Sequence, residues 1–518
     1  MEFYVRRGHR LTGKDEIVLV GVAEDDLALP ELLEPADKAN GGILRRVVKD
    51  GDFRGKAGET ALVPLAAGAP RRVLLFGLGP REKHDRESLR RALAAAVKTA
   101  AGARASAIAV AIPAVLPVPV DVEAWVRTAT EAIALTAYRH DACKGTGSAD
   151  ARKDRVDLAS VTFLDPMTHP RGTIQRGLAL GRSLADGVLL ARDLGNAPPN
   201  EMTPERLATE ARRLGKELGL TVRVLGLKEM KAAKMGGLLA VGQGSANPPR
   251  LITMEWKPKK AKVAGTWCVV GKGVTFDTGG ISIKPVAGME EMKFDMCGAA
   301  AAFGIMLAVA RLALPMRVLA IVPAAENMPS DRAYRPGDVV RISNGVTVEI
   351  ISTDAEGRMI LADALVHALK SKPRAIVDLA TLTGACVVAL GHHVAGLLSN
   401  HDELAGVVQR AGDVSGDGAW RLPITADYRK QIESQVADCK NSGGRWGGAI
   451  TAGAFLEQFV GDTPWVHLDI AGTAWTTTPA HDEPWGATGA GVRIVTQALL
   501  DLVERGGLPG AKGASGGS

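Results

Sequence analysis

Four carboxylates, two lysines and an arginine stand in glycine-rich turns beside the most apolar runs of this chain, and that pairing constrains the fold more than any other feature. The apolar run Trp267-Cys-Val-Val270 passes into Gly271-Lys272-Gly273, then Asp277-Thr-Gly-Gly280 and Lys284. Further on, Val348-Glu-Ile-Ile351 passes into Ser352-Thr-Asp354-Ala-Glu356-Gly-Arg358, and Asp295 lies between the two segments. Buried charge is costly unless it is paired or bound to metal. Clustered hard oxygen ligands are the usual way to hold divalent cations. In α/β sheets such sites gather in the turns beyond the strand C-termini. The pattern therefore predicts strand-to-helix junctions that bring these residues to a two-metal centre.

A chain of 518 residues is too long for one simple core and suits two domains. Hydrophobic content of 46% and charged content of 23% predict a soluble globular protein. The net charge of +6, spread over this length, permits nucleic-acid contact without requiring it. Five scattered cysteines without a C-x-x-C pair argue against a disulfide framework or a thiolate zinc site, and fit a reducing compartment. The segment Met1-Glu-Phe-Tyr-Val-Arg-Arg7 lacks the apolar run of a signal peptide, and no uninterrupted apolar run is long enough to predict a transmembrane helix. A cytoplasmic protein is the expectation.

The fold class predicted is α/β in two domains. A smaller N-terminal α/β domain is assigned to residues 1–168, a linking helix to 169–193, and a larger catalytic domain with a central mixed sheet flanked by helices to 194–505. The low-complexity tail 506–518 is expected to be disordered. In the first domain, strands are predicted near Glu16–Ala23, Arg72–Gly79, Ala107–Ile112 and Val161–Leu164, with helices near Arg86–Ala101 and Glu123–Arg139. In the second, Thr203-Pro204 reads as a helix cap followed by an N1 proline. Strands are predicted at Arg250–Trp256, Thr266–Val270, Arg317–Val322, Ala375–Leu379 and Val466–Ile470, and helices over 289–313 and 355–370.

Taken singly, each charged residue has an ordinary role. Asp354 stands where a helix N-cap would stand, Glu356 is a first-turn carboxylate favoured by the helix dipole, and Lys272 and Lys284 would pass for surface lysines. Their joint occurrence at successive strand-to-helix junctions is what points to a site. Arg358 beside a helix N-terminus makes an anion clamp. Other signals are weaker. Gly8 to Asp15 resembles a P-loop but lacks the magnesium-binding hydroxyl. No H-E-x-x-H is present. His392-His393 read as structural, and Lys257-Pro-Lys-Lys-Ala-Lys262 as a solvated hairpin turn.

Read together, these segments resemble the leucyl aminopeptidases of the cytosolic type. The family signature Asn-Thr-Asp-Ala-Glu-Gly-Arg-Leu appears with Ser352 for its Asn and Met359 for its Leu, and neither change touches a charged residue. Val269 to Gly280, Met292-Lys-Phe-Asp-Met296, Ala380-Thr-Leu-Thr-Gly-Ala385 and His467-Leu-Asp-Ile-Ala-Gly472 are similarly close, so the resemblance covers roughly 190–500. It implies that Lys272, Asp277, Asp295, Asp354 and Glu356 ligate two divalent metals, Mn²⁺ or Zn²⁺, with Asp277 and Glu356 bridging. It implies that Lys284 is the catalytic lysine and that Arg358 holds a bicarbonate ion acting as general base. Met292, Thr381, Leu382 and Gly384 would seat the substrate. The implied reaction releases N-terminal amino acids, preferably Leu and other apolar residues, from peptides through a two-metal-activated water. The family implies a homohexamer.

Three alternatives remain open from the sequence. One is a metal-dependent hydrolase of another amide or of cysteinyl-glycine dipeptides. Another is a DNA-binding protein on the same fold, although no helix-turn-helix, zinc finger or aromatic–basic platform is evident. The last is an inactive scaffold, against which the intact Lys284, Arg358 and ligand positions argue.

Overall fold

Apolar runs that read as buried strands do form sheets, and the polar turns after them lie at the sheet ends. The computed structural model describes residues 1–8, 11–12, 15–116, 120–148 and 155–508, so most of the predicted tail and part of the P-loop-like segment lie outside the described residues. The chain divides into two compact units. One comprises Met1–Ala185 with Thr478–Pro484, and the other Asp186–Thr477 with the residues from Trp485 onward.

Unit one carries a six-stranded sheet in the order Glu2–Arg7, Ser160–Asp165, Ala107–Ala111, Ile17–Val22, Arg72–Gly77, Thr60–Pro64. All neighbours are parallel except the last pair, which is antiparallel. Leu19, Leu74 and Val110 are fully buried, as expected of parallel strands covered by helices. The helices Arg86–Gly102 and Val122–Thr136 start on carboxylate caps. Asp85 accepts from the Ser88 N–H in a capping box, and Asp121 accepts from the Ala124 N–H.

Unit two carries a nine-stranded mixed sheet among the described residues. Its main path runs Ala419–Arg421, Ala395–Ser399, Trp465–Asp469, Ala375–Ala380, Val263–Gly271, Met316–Asn327, Arg250–Trp256, Thr221–Leu225, and Gly273–Asp277 pairs with the far end of Met316–Asn327. The central strands Trp465–Asp469, Ala375–Ala380, Val263–Gly271 and Met316–Asn327 are mutually parallel, and Gly273–Asp277 runs parallel with them. A core that includes Leu361, Leu365, Phe455, Leu238 and Ile321 joins the sheet to the helices Glu356–Leu369, Gly448–Glu457 and Gly236–Gly242. The helix Pro204–Leu218 begins as the sequence indicated, with the Thr203 hydroxyl accepting from the Arg206 N–H.

Two local readings are corrected. The span 289–313 is not one α-helix. Met289–Met296 forms 3-10 turns, and the α-helix is Cys297–Arg311. Met289–Arg311 is apolar and long enough to cross a membrane by length and composition, but 83% of its most apolar window is buried inside the protein. Lys257–Lys262 is not a hairpin turn. The strands it joins, Arg250–Trp256 and Val263–Gly271, both pair with Met316–Asn327, which lies between them.

Near the end of the helix Glu356–Leu369, burial and then the charges of Lys370 and Arg223 push the His367 imidazole down to about 4. Its folded-state pKa lies below the unfolded value, so the unfolded chain binds the proton first as pH falls. The linked stability is present above pH ~6.5 and is lost as pH drops towards 4. The urea midpoint of the parent should therefore fall more between pH 7 and pH 5 than that of His367→Gln. Equal falls would refute this assignment.

Candidate metal centre

The parallel strands of unit two end on the same side of the sheet, and the charged residues collect there. Lys272 follows Val263–Gly271, Asp277 ends Gly273–Asp277, Thr381 follows Ala375–Ala380, and Asn327 and Asp469 end their strands. The 3-10 segment Met289–Met296 delivers Asp295, and Glu356 is the first residue of its helix. Lys284 lies on the loop beyond Gly279 and Gly280, whose φ angles of +84° and +66° turn the backbone as only glycine does readily.

Lys272 Nζ lies 2.7 Å from Asp295 Oδ1 and 2.9 Å from Glu356 Oε1, and donates to the Thr381 carbonyl at 2.7 Å. Lys284 Nζ lies 2.8 Å from Asp277 Oδ2 and also pairs with Asp354. Carboxylate oxygens of Asp277, Asp354 and Glu356 all lie within 4.8 Å of one another. Asp354 differs from its sequence reading. The helix N-cap is Ala355, which makes no side-chain cap bond, and the Asp354 carboxylate turns to Lys284 instead. A charged partner holds it more strongly than a backbone N–H would.

Burial works against charge on Lys272 and Lys284, but the carboxylates around each outweigh it and hold both ammoniums above the ordinary lysine range. The carboxylates are crowded. Burial, then the neighbouring Glu356 charge, raises Asp277, and Asp295 is raised well above its usual value, chiefly by burial. Burial lowers the Arg358 guanidinium to about 10, and its Nη1 donates to the Asn441 carbonyl at 2.8 Å.

Does this donor set fit divalent metal? Asp295 Oδ2 and Glu356 Oε2 are buried without a hydrogen-bond partner among the described residues. Such orphaned acceptors are rare in folded proteins. Four carboxylates against two lysines and the buried Arg358 leave one formal negative charge in excess, and that excess together with the orphaned oxygens suits hard cations.

Comparison with known proteins agrees. The model for the cytosol aminopeptidase family catalytic domain matches residues 189–496, and the model for that family's N-terminal domain matches 19–146. The chain belongs to the cytosol aminopeptidase family. A probable cytosol aminopeptidase of Roseiflexus castenholzii is 44% identical, the alignment covering 97% of this chain and 100% of the relative. One from Syntrophotalea carbinolica is 46% identical over 96% and 98%. Among solved structures, the bottromycin maturation enzyme BotP in complex with Mn is 35% identical over 94% of this chain and 99% of that one, with a TM-score of 0.83. A mutant of tomato leucine aminopeptidase is 34% identical over 96% and 97%, also with a TM-score of 0.83. The protein is accordingly a metal-dependent aminopeptidase of this family, and its Asp277, Asp354 and Glu356 form an acidic cluster of a kind that can hold a metal ion.

Beside this cluster stand the residues expected to seat substrate. Thr381 Oγ1 donates to Asp295 Oδ1 at 2.8 Å. The Leu382 N–H donates to Asp469 Oδ1 at 3.2 Å, Gly384 opens a short helix capped by Thr383, and Met292 lies on the segment that delivers Asp295. The departures from the family signature are accommodated. Ser352 Oγ accepts from the Asp354 N–H at 3.2 Å, and Met359 is fully buried.

Sequence reasoning missed two asparagines. Asn327 Nδ2 donates to Asp277 Oδ1 at 2.8 Å and to the Thr353 carbonyl at 3.0 Å. Asn441 Nδ2 donates to the Ser352 carbonyl at 2.6 Å, and its Oδ1 accepts from the Ile351 N–H at 2.8 Å. Neither lies in a charged motif, and the position of Asn327 at the end of an apolar strand was the only available signal.

The motif's Gly357 has a steric role. A Cβ there would lie 2.5 Å from Lys272 Cε. Gly357→Ala should displace Lys272 from Asp295 and Glu356 and lower kcat by about 10–100-fold, the usual scale for disturbing a ligand's support. Wild-type kcat in that variant would refute the argument.

Proposed function

We propose that this aminopeptidase removes N-terminal amino acids, with a preference for Leu and other apolar residues, at a centre of two divalent metals held by Lys272, Asp277, Asp295, Asp354 and Glu356. The observation that carries the reading is the ring of Asp277, Asp354 and Glu356 beside the orphaned oxygens of Glu356 and Asp295. Asp277 and Glu356 would contribute to holding both ions. Bound Mn²⁺ or Zn²⁺ would supply Lewis acidity and a water acidic enough to attack near neutral pH. Lys272 must lose its proton to ligate, so metal uptake should release protons.

The chain's own groups do the remaining work. Lys284, held as a cation by Asp277 and Asp354, stabilises the oxyanion that develops on the scissile carbonyl. Arg358 would hold bicarbonate, and that ion would supply general-base chemistry. The Thr381–Gly384 turn, through the Leu382 carbonyl, positions the substrate amine, and Met292 lines the pocket for the first side chain. The enzyme works as a homohexamer in the cytoplasm, as its family resemblance implies.

The test is hydrolysis of leucine p-nitroanilide before and after chelation, with Mn²⁺ or Zn²⁺ added back and bound metal counted by elemental analysis. Two metals per chain, and activity that disappears and returns with them, are expected. Full activity in metal-free protein would overturn the reading.

A further inference from the structure

The turn that carries Ser352 and Asp354 is open to solvent. Ile351 and Asp354 are exposed, whereas Glu356 and Arg358 behind them are buried. Asn441 holds this turn. It is fully buried, bonds to the backbone of Ile351 and Ser352, and offers its carbonyl to Arg358. The chain leaves Asn441 as Ser442-Gly-Gly-Arg445-Trp446-Gly-Gly448 and enters the helix Gly448–Glu457. That helix begins against the other wall of the site, where a Cβ on Gly448 would lie 3.0 Å from Ala385 Cβ, next to Gly384. One short loop thus runs from the open turn to the substrate-seating turn.

The loop presents two large side chains to solvent. Trp446 is 76% exposed, and the Arg445 guanidinium lies over its ring at 5.2 Å. Arg445 makes no carboxylate pair among the described residues. Gly444 and Gly447 hold φ angles of +88° and +64°, so the loop's path depends on glycine rather than on burial of its tryptophan. An exposed indole carrying an unpaired guanidinium matches one kind of ligand end, an apolar or aromatic residue followed by a carboxylate. The substrates of an aminopeptidase include short peptides with that end.

We propose that Arg445 and Trp446 recognise the part of the peptide beyond the scissile bond. Trp446 packs against the second residue, and Arg445 pairs with the terminal carboxylate of a dipeptide. The inference rests on the aminopeptidase reading of the site and deepens it towards a substrate class, dipeptides with a bulky apolar second residue.

The experiment compares kcat/KM for leucinamide, Leu-Ala, Leu-Phe and Leu-Phe-amide in the metal-loaded full-length parent, Arg445→Gln and Trp446→Ala. Both side chains are exposed, so neither change threatens folding. Arg445→Gln should lower kcat/KM for Leu-Phe about tenfold, through KM, and leave Leu-Phe-amide and leucinamide within about twofold. Trp446→Ala should lower Leu-Phe and Leu-Phe-amide about tenfold and leave leucinamide and Leu-Ala nearly unchanged. Equal losses on all four substrates, or no loss on any, would overturn the proposal while leaving the aminopeptidase reading standing. Failure of the parent to hydrolyse leucinamide would overturn both.

Discussion

Glu356→Gln should abolish activity, with kcat reduced by about 10³-fold or more, because it removes a proposed bridging ligand while keeping size and shape. Its effect on stability should run the other way from that of an ordinary buried ion pair. Removing one partner of such a pair usually costs about 3–5 kcal/mol. Here Lys272 keeps Asp295 at 2.7 Å, and Glu356 is one of the charges that push Asp277 and Asp295 upward. Relief of that crowding offsets the lost contact with Lys272. Without metal, the Tm of the variant should therefore match or exceed that of the parent. With Mn²⁺ at ~100 times its Kd, the parent should gain about 2.7 kcal/mol and the variant much less. Thermal melts with and without Mn²⁺, beside kcat, check both parts. A variant within tenfold of parental kcat, or stabilised equally by Mn²⁺, would show that Glu356 is not a ligand.

Lys284→Met should lower kcat by about 10²–10³-fold at saturating Mn²⁺ with KM little changed, the signature of a contact made mainly in the transition state. The side chain is 20% exposed and sits on a loop, so its loss leaves the core intact. It does leave Asp277 and Asp354 without their ammonium. Bound metal must therefore be counted in the same sample, and an unchanged count with reduced kcat separates the lysine's own role from ligand loss. Parental kcat with full metal occupancy would remove Lys284 from the chemistry.

Much of the architecture was legible because its strands are buried on both faces and read as continuous apolar runs. Ile17–Val22, Arg72–Gly77 and Ala375–Ala380 lie within a residue or two of where the pattern places them. Edge strands did not show. Glu2–Arg7 alternates exposed and half-buried residues and carries three charges in six positions, which a search for apolar runs passes over. The basic segment Lys257–Lys262 was rightly placed in solvent but misread as a hairpin, because sequence proximity does not reveal that Met316–Asn327 inserts between the strands it connects. Asp354 carried a strong cap signal, and only the arrival of Lys284 from a distant loop redirected its carboxylate.

The sequence by itself determined the donor chemistry of this protein: carboxylates, two lysines and an arginine, set in glycine-rich turns after apolar strands. It also determined the family, through motifs whose residue types and spacing leave few other readings. The tertiary structure decided which donors meet. Lys272 reaches Asp295, Glu356 and the Thr381 carbonyl because Val263–Gly271 and Ala375–Ala380 are parallel neighbours, so residues 109 positions apart end at the same edge of the sheet. It also decided the support, in which Asn327 steadies Asp277, Asn441 joins Ser352 to Arg358, and Gly357 leaves room for a lysine stem. Such contacts depend on strand order and register, which arise from packing the whole sheet, and no local pattern encodes them.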